Sequence, residues 1–149
     1  MARLLFGLLL FATVIAQSTF LPRLNPLPVS PDLVLVLLLM WAAQHSVRES
    51  LFWVFFAGII LDVLAIDPLG AHGLAMVVLV ILSHPLRIRA WQFNMTSVML
   101  LVFLATIVHG GMLALVRGVS PDMVQVGLQA VLHLVVIPII FLALRVLGR

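Results

Sequence analysis

Residues 61–72 read Leu61-Asp62-Val63-Leu64-Ala65-Ile66-Asp67-Pro68-Leu69-Gly70-Ala71-His72. Asp62 stands inside a long apolar run, and the composition of residues 67–70 is typical of a turn. A carboxylate at membrane depth costs about 2.5–3.5 kcal/mol on insertion scales, so it is rarely placed there without a role. The stretch therefore predicts two membrane-embedded helices joined by a short turn, with Asp62 facing the protein interior.

The whole chain has the composition of an integral membrane protein. Of its 149 residues, 64% are hydrophobic and 9% are charged, and the mean hydropathy is +1.32. Soluble domains carry about 25% charged residues. All eight basic residues are arginines scattered singly, which argues against nucleic-acid binding, and the absence of cysteine excludes disulfides and thiolate chemistry. No polar segment exceeds about a dozen residues, so we expect one transmembrane domain over residues 1–149.

Prolines, glycines and polar residues divide the chain into six apolar segments. The predicted transmembrane helices cover residues 4–21, 32–45, 51–66, 71–84, 96–116 and 123–147. A segment of about fifteen residues rises only about 22 Å against a hydrocarbon core of about 30 Å, so the short segments are expected to lean on longer neighbours. We therefore predict an all-α polytopic protein, a compact bundle of six transmembrane helices. The first segment is similar to a secretory signal peptide, but its apolar run continues to Pro22, and we expect an uncleaved first span.

The arginines are unevenly divided between the two sides of this predicted topology. One side holds Arg3, Arg48, Arg87, Arg89, Arg145 and Arg149, and the other holds Arg23 and Arg117. Because cytoplasmic loops carry an excess of basic residues, both termini are predicted to lie in the cytoplasm. Of the cytoplasmic arginines, Arg48, Arg87 and Arg89 could contact protein filaments or anionic lipid head groups, although a role in topology alone is the plainer interpretation.

Several polar side chains fall within the predicted spans, where lipid-facing positions exclude them. In the predicted orientation, five of them lie in the outer half of the bilayer: Gln17, Asp62, His72, Gln125 and Gln129. They are candidates for a polar pocket that opens outward. The alternative is that they only hydrogen-bond helices together, at about 0.6 kcal/mol each.

Other residues in the spans are candidates for helix packing or partner binding. They are Gly58, His109, Gly110, Gly111 and His133. Small residues let helices approach closely, and the approaching helix could belong to this chain or to another protein. No histidine pair has the spacing of a zinc-binding helix, and glycine-rich phosphate loops and nucleophile elbows are missing from the sequence. We therefore predict no metal site, no cofactor and no catalytic residue.

Three stretches resemble the MreD family, the small multispan membrane subunits of the bacterial rod-shape (elongation) machinery. The first two read Gln17-Ser18-Thr19-Phe20-Leu21-Pro22-Arg23-Leu24 and Pro31-Asp32-Leu33-Val34-Leu35-Val36. The third and most specific reads Gly58-Ile59-Ile60-Leu61-Asp62-Val63-Leu64, followed by Pro68-Leu69-Gly70-Ala71-His72-Gly73-Leu74. It is similar to the family's intramembrane aspartate, turn, and Pro68-Leu69-Gly70 start of the next span. Length, span number and predicted orientation match as well.

The resemblance implies a non-enzymatic scaffold in the bacterial cytoplasmic (inner) membrane. Such a protein would bind the transmembrane helix of MreC and help to position peptidoglycan synthesis. Further implied partners are RodA, a class B penicillin-binding protein and, directly or indirectly, MreB filaments. The family fold is similar to the S components of energy-coupling-factor transporters. That similarity supplies the alternative function, a small-molecule-binding (vitamin) transporter subunit that uses the pocket around Asp62.

Overall fold

A computed structural model describes residues 2–20, 31–81, 95–120 and 122–147. Within these ranges the chain forms six helices and no strand. They are α1 (Ala2–Ile15), continued by a π-helical turn (Ala16–Phe20), α2 (Leu33–Gln44), α3 (Val47–Ala65), α4 (Ala71–Ile81), α5 (Met95–Arg117) and α6 (Met123–Leu147). The predicted all-α class is confirmed, and each helix overlaps one of the six predicted segments. Arg87 and Arg89 lie outside the described residues.

Three helices begin where a short polar side chain accepts a backbone N–H of the first turn. Oδ1 of Asp32 accepts the Leu35 N–H at 2.9 Å, and the Ser46 hydroxyl accepts the Glu49 N–H at 3.3 Å. Asp122 caps α6 in the same way. Each cap satisfies donors that a helix start leaves free, and it typically stabilises a helix by about 1 kcal/mol. The starts of these three helices are therefore set by local chemistry.

Helix α2 is the centre of the bundle. Its residues 34–40 are all buried, which is expected of a helix that is apolar on every side. It packs against α1, α3 and α5, and α5 packs along α6. The faces of α1 and α3 that point away from α2 carry exposed leucines and phenylalanines, among them Leu4, Leu8, Phe52 and Phe55. The apolar surface is thus turned outward, as in a protein surrounded by lipid.

Two helices are long and apolar enough to cross a membrane by themselves, within the part of the chain that the structure describes. They are Arg3–Phe20, which combines α1 with its π-helical turn, and Met99–Arg117 in α5. At 1.5 Å per residue, α2 and α4 rise only about 18 and 17 Å, less than the hydrocarbon core. Helix α2 lies in the centre of the bundle instead of meeting lipid on all sides. Crossing of the membrane by all six helices remains a prediction.

The two ends of the bundle differ in chemistry. At one end, the starts of α1 and α3 are joined by an ion pair in which Nε of Arg3 donates to Oε1 of Glu49 at 2.9 Å. We call this the Arg3 end. The opposite end, where α3 stops and α4 starts, is called the Asp62 end. Most of the polar side chains inside the bundle lie nearer to the Asp62 end, and the candidate functional site is therefore placed there.

Candidate functional site

The buried carboxylate of Asp62 ties the end of α3 to the start of α4. It is fully buried, and its two oxygens accept three hydrogen bonds. Oδ2 accepts the Gly70 N–H at 2.6 Å, and Oδ1 accepts the His72 N–H at 2.9 Å and lies 2.8 Å from Nδ1 of the same residue. Since a carboxylate oxygen only accepts, this geometry assigns the His72 ring proton to Nδ1. Asp62 thus supplies the cap that α4 needs, from the preceding helix.

The turn between these helices requires unusual backbone angles at both ends. Ile66 closes α3 in the left-handed region, at φ 57°, and Gly70 has φ 94°. Its lack of a side chain makes glycine the residue best suited to such an angle. The glycine of the Pro68-Leu69-Gly70 motif is therefore explained by local geometry, because Gly70 both makes the turn and donates to Asp62.

Gly58 lets α3 and α4 come into backbone contact. A Cβ atom built on Gly58 would lie 2.5 Å from the Cα atom of Gly73, closer than such atoms approach. Gly58 stands one helical turn before Asp62, so the close approach brings the start of α4 within reach of the carboxylate. Gly58, Asp62 and Gly73 therefore form one packing unit between α3 and α4.

An ion pair at the rim of this unit attaches it to α5. Arg117, at the end of α5, donates from Nε to Oδ1 of Asp67 at 2.9 Å and from its terminal nitrogen to Oδ2 at 2.5 Å. Nδ1 of His72 lies 3.7 Å from the same Oδ2. The bidentate geometry fixes the angle between the two groups. The turn is therefore held from inside by Asp62 and from outside by Arg117.

A second buried network centres on Asp32, at the start of α2. Besides its own N-terminal cap, Oδ1 of Asp32 accepts a hydrogen bond from the Gln17 side-chain nitrogen at 3.0 Å. The side-chain oxygen of Gln17 in turn accepts the Val34 N–H at 3.0 Å. Gln17 belongs to the π-helical turn after α1, a geometry often found at functional positions. Its amide thus satisfies both a carboxylate and a helix-start N–H.

His133 connects this network to α5. Its Nε2 accepts the Asp32 backbone N–H at 2.7 Å, so the proton of the neutral ring is on Nδ1. Nδ1 lies 2.6 Å from the Thr106 hydroxyl oxygen, and that hydroxyl donates to the Val102 carbonyl at 2.8 Å. The direction of every bond in this relay follows from the one group that can only donate, the Asp32 N–H. His133 is fully buried, and both of its ring nitrogens are used.

His109 lies between the two networks. Its Nδ1 is 3.7 Å from Oδ2 of Asp32, and its ring centroid is 6.1 Å from that of His72. Its Nε2 is buried and has no hydrogen-bond partner among the described residues. We call the whole set the polar layer. Its members come from all six helices, and they are Gln17, Asp32, Asp62, Asp67, His72, Thr106, His109, Arg117 and His133.

The polar layer is better suited to holding helices than to chemistry. The carboxylates of Asp62 and Asp32 are engaged by backbone and side-chain donors, and the described residues contain no group of three or more metal-ligand side chains. Buried polar groups that satisfy each other specify one arrangement of helices, because any other arrangement leaves them unpaired. The polar layer therefore favours one register of the helices over others.

The structure divides the predicted polar pocket between these networks. Asp62 and His72 are bonded to each other, whereas Gln17 is bonded to Asp32. On α6, Gln125 is exposed and Gln129 is half-buried, and in the described part of the chain neither side chain is hydrogen-bonded to the polar layer. His109 and His133, the two histidines among the candidates for helix packing or partner binding, belong to the layer.

The glycine pair of α5 meets two different environments. A Cβ atom on Gly110 would lie 2.8 Å from a methyl carbon of Val126 on α6, so this glycine serves packing within the chain. A Cβ atom on Gly111 would meet nothing within 4 Å. Within the described part of the chain, the space beside Gly111 is therefore open. Arg48 is exposed at the Arg3 end.

The residues predicted for the candidate site do not include Asp32, Thr106 or the Asp67–Arg117 pair. Their partners lie 101, 27 and 50 residues away in the chain, so periodicity within one helix does not find them. One signal was available for Asp32, because a carboxylate at the start of a wholly apolar helix needs further partners once the helix is buried.

The six helices that contribute to the polar layer all lie within the range of one family match. The family model described as rod shape-determining protein MreD matches residues 1–147. The chain belongs to the MreD family. MreD proteins are membrane proteins of the MreBCD cell-shape system and form a shape-determining structural family rather than a family of enzymes. Neither a curated protein nor a solved structure matches the chain significantly, so the similarity to transporter S components remains a prediction.

Proposed function

We propose that this chain is a scaffold subunit of the rod-shape machinery that binds the transmembrane helix of MreC and helps to position peptidoglycan synthesis. The observation that carries the proposal is the family match over residues 1–147. In the proposed topology, the chain crosses the bacterial inner membrane six times, with both termini in the cytoplasm. RodA, the class B penicillin-binding protein and MreB filaments are the further partners that such a scaffold would serve.

The chemistry of the bundle is consistent with a scaffold. Most of its buried polar side chains are hydrogen-bonded to each other or to backbone groups, while its outer faces present apolar residues. A rigid bundle of this kind can hold a partner helix by van der Waals packing, which is the main attraction between helices in lipid. Gly111 is one position where a partner backbone could approach closely, since no described side chain lies within 4 Å of the place of its Cβ.

The alternative function, a small-molecule-binding transporter subunit, would place a ligand at the pocket predicted around Asp62. The geometry favours it less. All of the hydrogen bonds that Asp62 makes are to the turn and to His72, and breaking them to receive a ligand would leave buried backbone donors unpaired. A scaffold needs no ligand at Asp62, and the three hydrogen bonds of this carboxylate stabilise the bundle that it requires.

Copurification tests the two functions against each other. The full chain, tagged and expressed at its natural level, is extracted in mild detergent with and without co-expressed MreC. A scaffold retains MreC in a fixed ratio, and MreC that lacks its transmembrane helix is lost. Recovery of a tightly held vitamin-like molecule, or of a pair of ATPases with a coupling subunit, would instead support the transporter. Reporter fusions at both termini test the topology independently, and a periplasmic terminus would contradict it.

A further inference from the structure

Helices α1 and α3 lie side by side and form an apolar cleft. The cleft has a volume of about 180 Å³ and is lined on one side by Gly7, Leu10 and Val14 and on the other by Trp53, Ala57 and Ile60. The two sets rise together from the Arg3 end, because Arg3 and Glu49 join the starts of the two helices. Phe11 and Phe56 also line the cleft, and both are about half exposed. The cleft therefore faces outward, where the lipid is expected.

The depth of this cleft is set by Gly7. A Cβ atom on Gly7 would lie 2.7 Å from the Trp53 ring, so the indole lies directly over the glycine. A larger residue would push Trp53 outward into the cleft. Since Trp53 also lines a second depression, it marks the point where the two adjoin.

The second depression is polar and carries net positive charge. It lies at the Arg3 end and is lined by Arg3, Ser46, Arg48, Glu49 and Phe52 together with Trp53. Glu49 is paired with Arg3, and in the described part of the chain no acidic side chain lies within ion-pair distance of Arg48. Two positive groups against one negative group leave the depression attractive to an anion.

The length of the two features fits one leaflet of a bilayer. From Arg3 to Val14, α1 rises about 16 Å, and half of the hydrocarbon core is about 15 Å thick. A partner transmembrane helix would follow a groove over the full thickness of about 30 Å. A single lipid acyl chain spans only half of that thickness, and the head group of the lipid then lies at the membrane surface. The charged depression at the Arg3 end and the apolar cleft beside it therefore match the head group and one acyl chain of a phospholipid.

We propose that α1 and α3 bind one anionic phospholipid. Its phosphate lies at Arg48 and the free part of the Arg3 guanidinium, and one acyl chain lies along the cleft between Gly7 and Ile60. The bound lipid covers apolar surface between two helices. Occupancy of this site then depends on the amount of anionic lipid in the membrane, a property separate from MreC binding.

Native mass spectrometry of the full chain in detergent tests this binding. The probes are phosphatidylglycerol and phosphatidylethanolamine with identical acyl chains. We expect phosphatidylglycerol to bind more tightly, and Arg48→Gln to weaken its binding about fivefold, the usual effect of one basic residue near a membrane surface. Glu49→Gln frees the Arg3 guanidinium and is expected to strengthen it. Arg117→Gln, which lowers the net charge equally but lies at the opposite end, is the matched control.

Four outcomes would overturn the proposal. One is equal affinity for the two lipids, and another is an equal loss of affinity in Arg48→Gln and Arg117→Gln. A third is full displacement of the lipid by glycerol 3-phosphate, which has the head-group charge but no acyl chain. The fourth is stoichiometric displacement by the transmembrane helix of MreC, which would assign the cleft to a protein partner. Thermal unfolding of each variant verifies that the bundle is intact, and the opposite signs expected for Arg48→Gln and Glu49→Gln separate charge from folding.

Discussion

Asp62 binds His72 twice, once through the backbone N–H at 2.9 Å and once through the ring nitrogen at 2.8 Å, and both bonds end on the same carboxylate oxygen. The other oxygen accepts the Gly70 N–H. Each hydrogen bond to a charged group is worth about 1.5–3 kcal/mol, so the three together offset the cost of about 2.5–3.5 kcal/mol for a carboxylate at membrane depth. The Asp62 carboxylate therefore holds α3 and α4 together as a helical hairpin.

Removal of this carboxylate should destabilise the bundle. In Asp62→Ala, the Gly70 and His72 N–H groups lose their acceptor, and we expect a loss of about 3 kcal/mol or more in the free energy of unfolding. Asp62→Asn keeps one acceptor and should cost about half as much. The measurement is denaturant unfolding in detergent micelles.

Asp122→Asn is the matched control for this test. Asp122 also accepts backbone N–H groups at a helix start, but it is exposed, and asparagine caps a helix about as well as aspartate. Its unfolding free energy should change by less than about 0.5 kcal/mol. Equal effects of Asp62→Asn and Asp122→Asn would contradict the role assigned to the buried Asp62 carboxylate.

The glycines of α3 and α5 give a prediction with opposite signs. Alanine at Gly58 would bring its Cβ within 2.5 Å of the Gly73 backbone, which has no flexible side chain that can move away. We expect Gly58→Ala to lower the unfolding free energy by about 1–3 kcal/mol, the usual cost of overpacking. Gly111→Ala meets open space and should raise it by up to about 1 kcal/mol through helix propensity.

The same pair of variants separates folding from partner binding. Gly111→Ala should fold normally, because its Cβ meets no described atom within 4 Å, and a loss of MreC copurification in this variant would identify the partner face. Thermal unfolding and copurification are measured on the same preparations. If Gly58→Ala is as stable as Gly111→Ala, the close contact between α3 and α4 is wrong.

Some of the site could be predicted from the sequence because its signals are local. The apolar runs gave the all-α class, and the carboxylate in a span gave an inward-facing Asp62. The turn at Pro68-Leu69-Gly70 followed from composition alone. In each case the information lies within about a dozen consecutive residues, the distance over which helix periodicity and turn chemistry act.

The other part of the site depends on which helix turns are covered by neighbours. Gln125, Gln129 and His133 lie on one face of α6 at a spacing of four. The sequence placed the two glutamines in the polar pocket and His133 among the packing residues. In the structure His133 is fully buried and Gln125 is exposed. Periodicity defines a face and not a depth, so it gives no reason to prefer His133. The bond from Asp32 to His133 spans 101 residues and exists only once the bundle has formed.

The relay through His133 predicts an energetic coupling with Thr106. His133→Leu leaves the Asp32 N–H without an acceptor, and we expect a loss of about 2 kcal/mol in the unfolding free energy. Thr106→Val removes the hydroxyl that meets Nδ1, and should cost about 1 kcal/mol. The double variant should lose less than the sum, with a coupling of about 1 kcal/mol in a double-mutant cycle.

Thr13→Val is the control for the Thr106 substitution. The Thr13 hydroxyl donates to the Leu9 carbonyl four residues earlier, just as Thr106 donates to Val102, but no histidine lies at Thr13. Its effect should be below about 0.5 kcal/mol. Strict additivity of His133→Leu and Thr106→Val would show that the two side chains are not hydrogen-bonded.

The ion pair between Asp67 and Arg117 should contribute through geometry rather than burial. The Arg117 side chain is 38% exposed and that of Asp67 is 14% exposed, so solvent screens part of their attraction. We expect Arg117→Gln and Asp67→Asn each to lower the unfolding free energy by about 0.5–1 kcal/mol, and the double-mutant coupling to be of the same size. The coupling should decrease at about 1 M salt, where charges are screened beyond about 3 Å. A coupling of several kcal/mol that salt leaves unchanged would mean that this pair is as buried as Asp62, and the rim of the polar layer would then have to be placed deeper in the bundle.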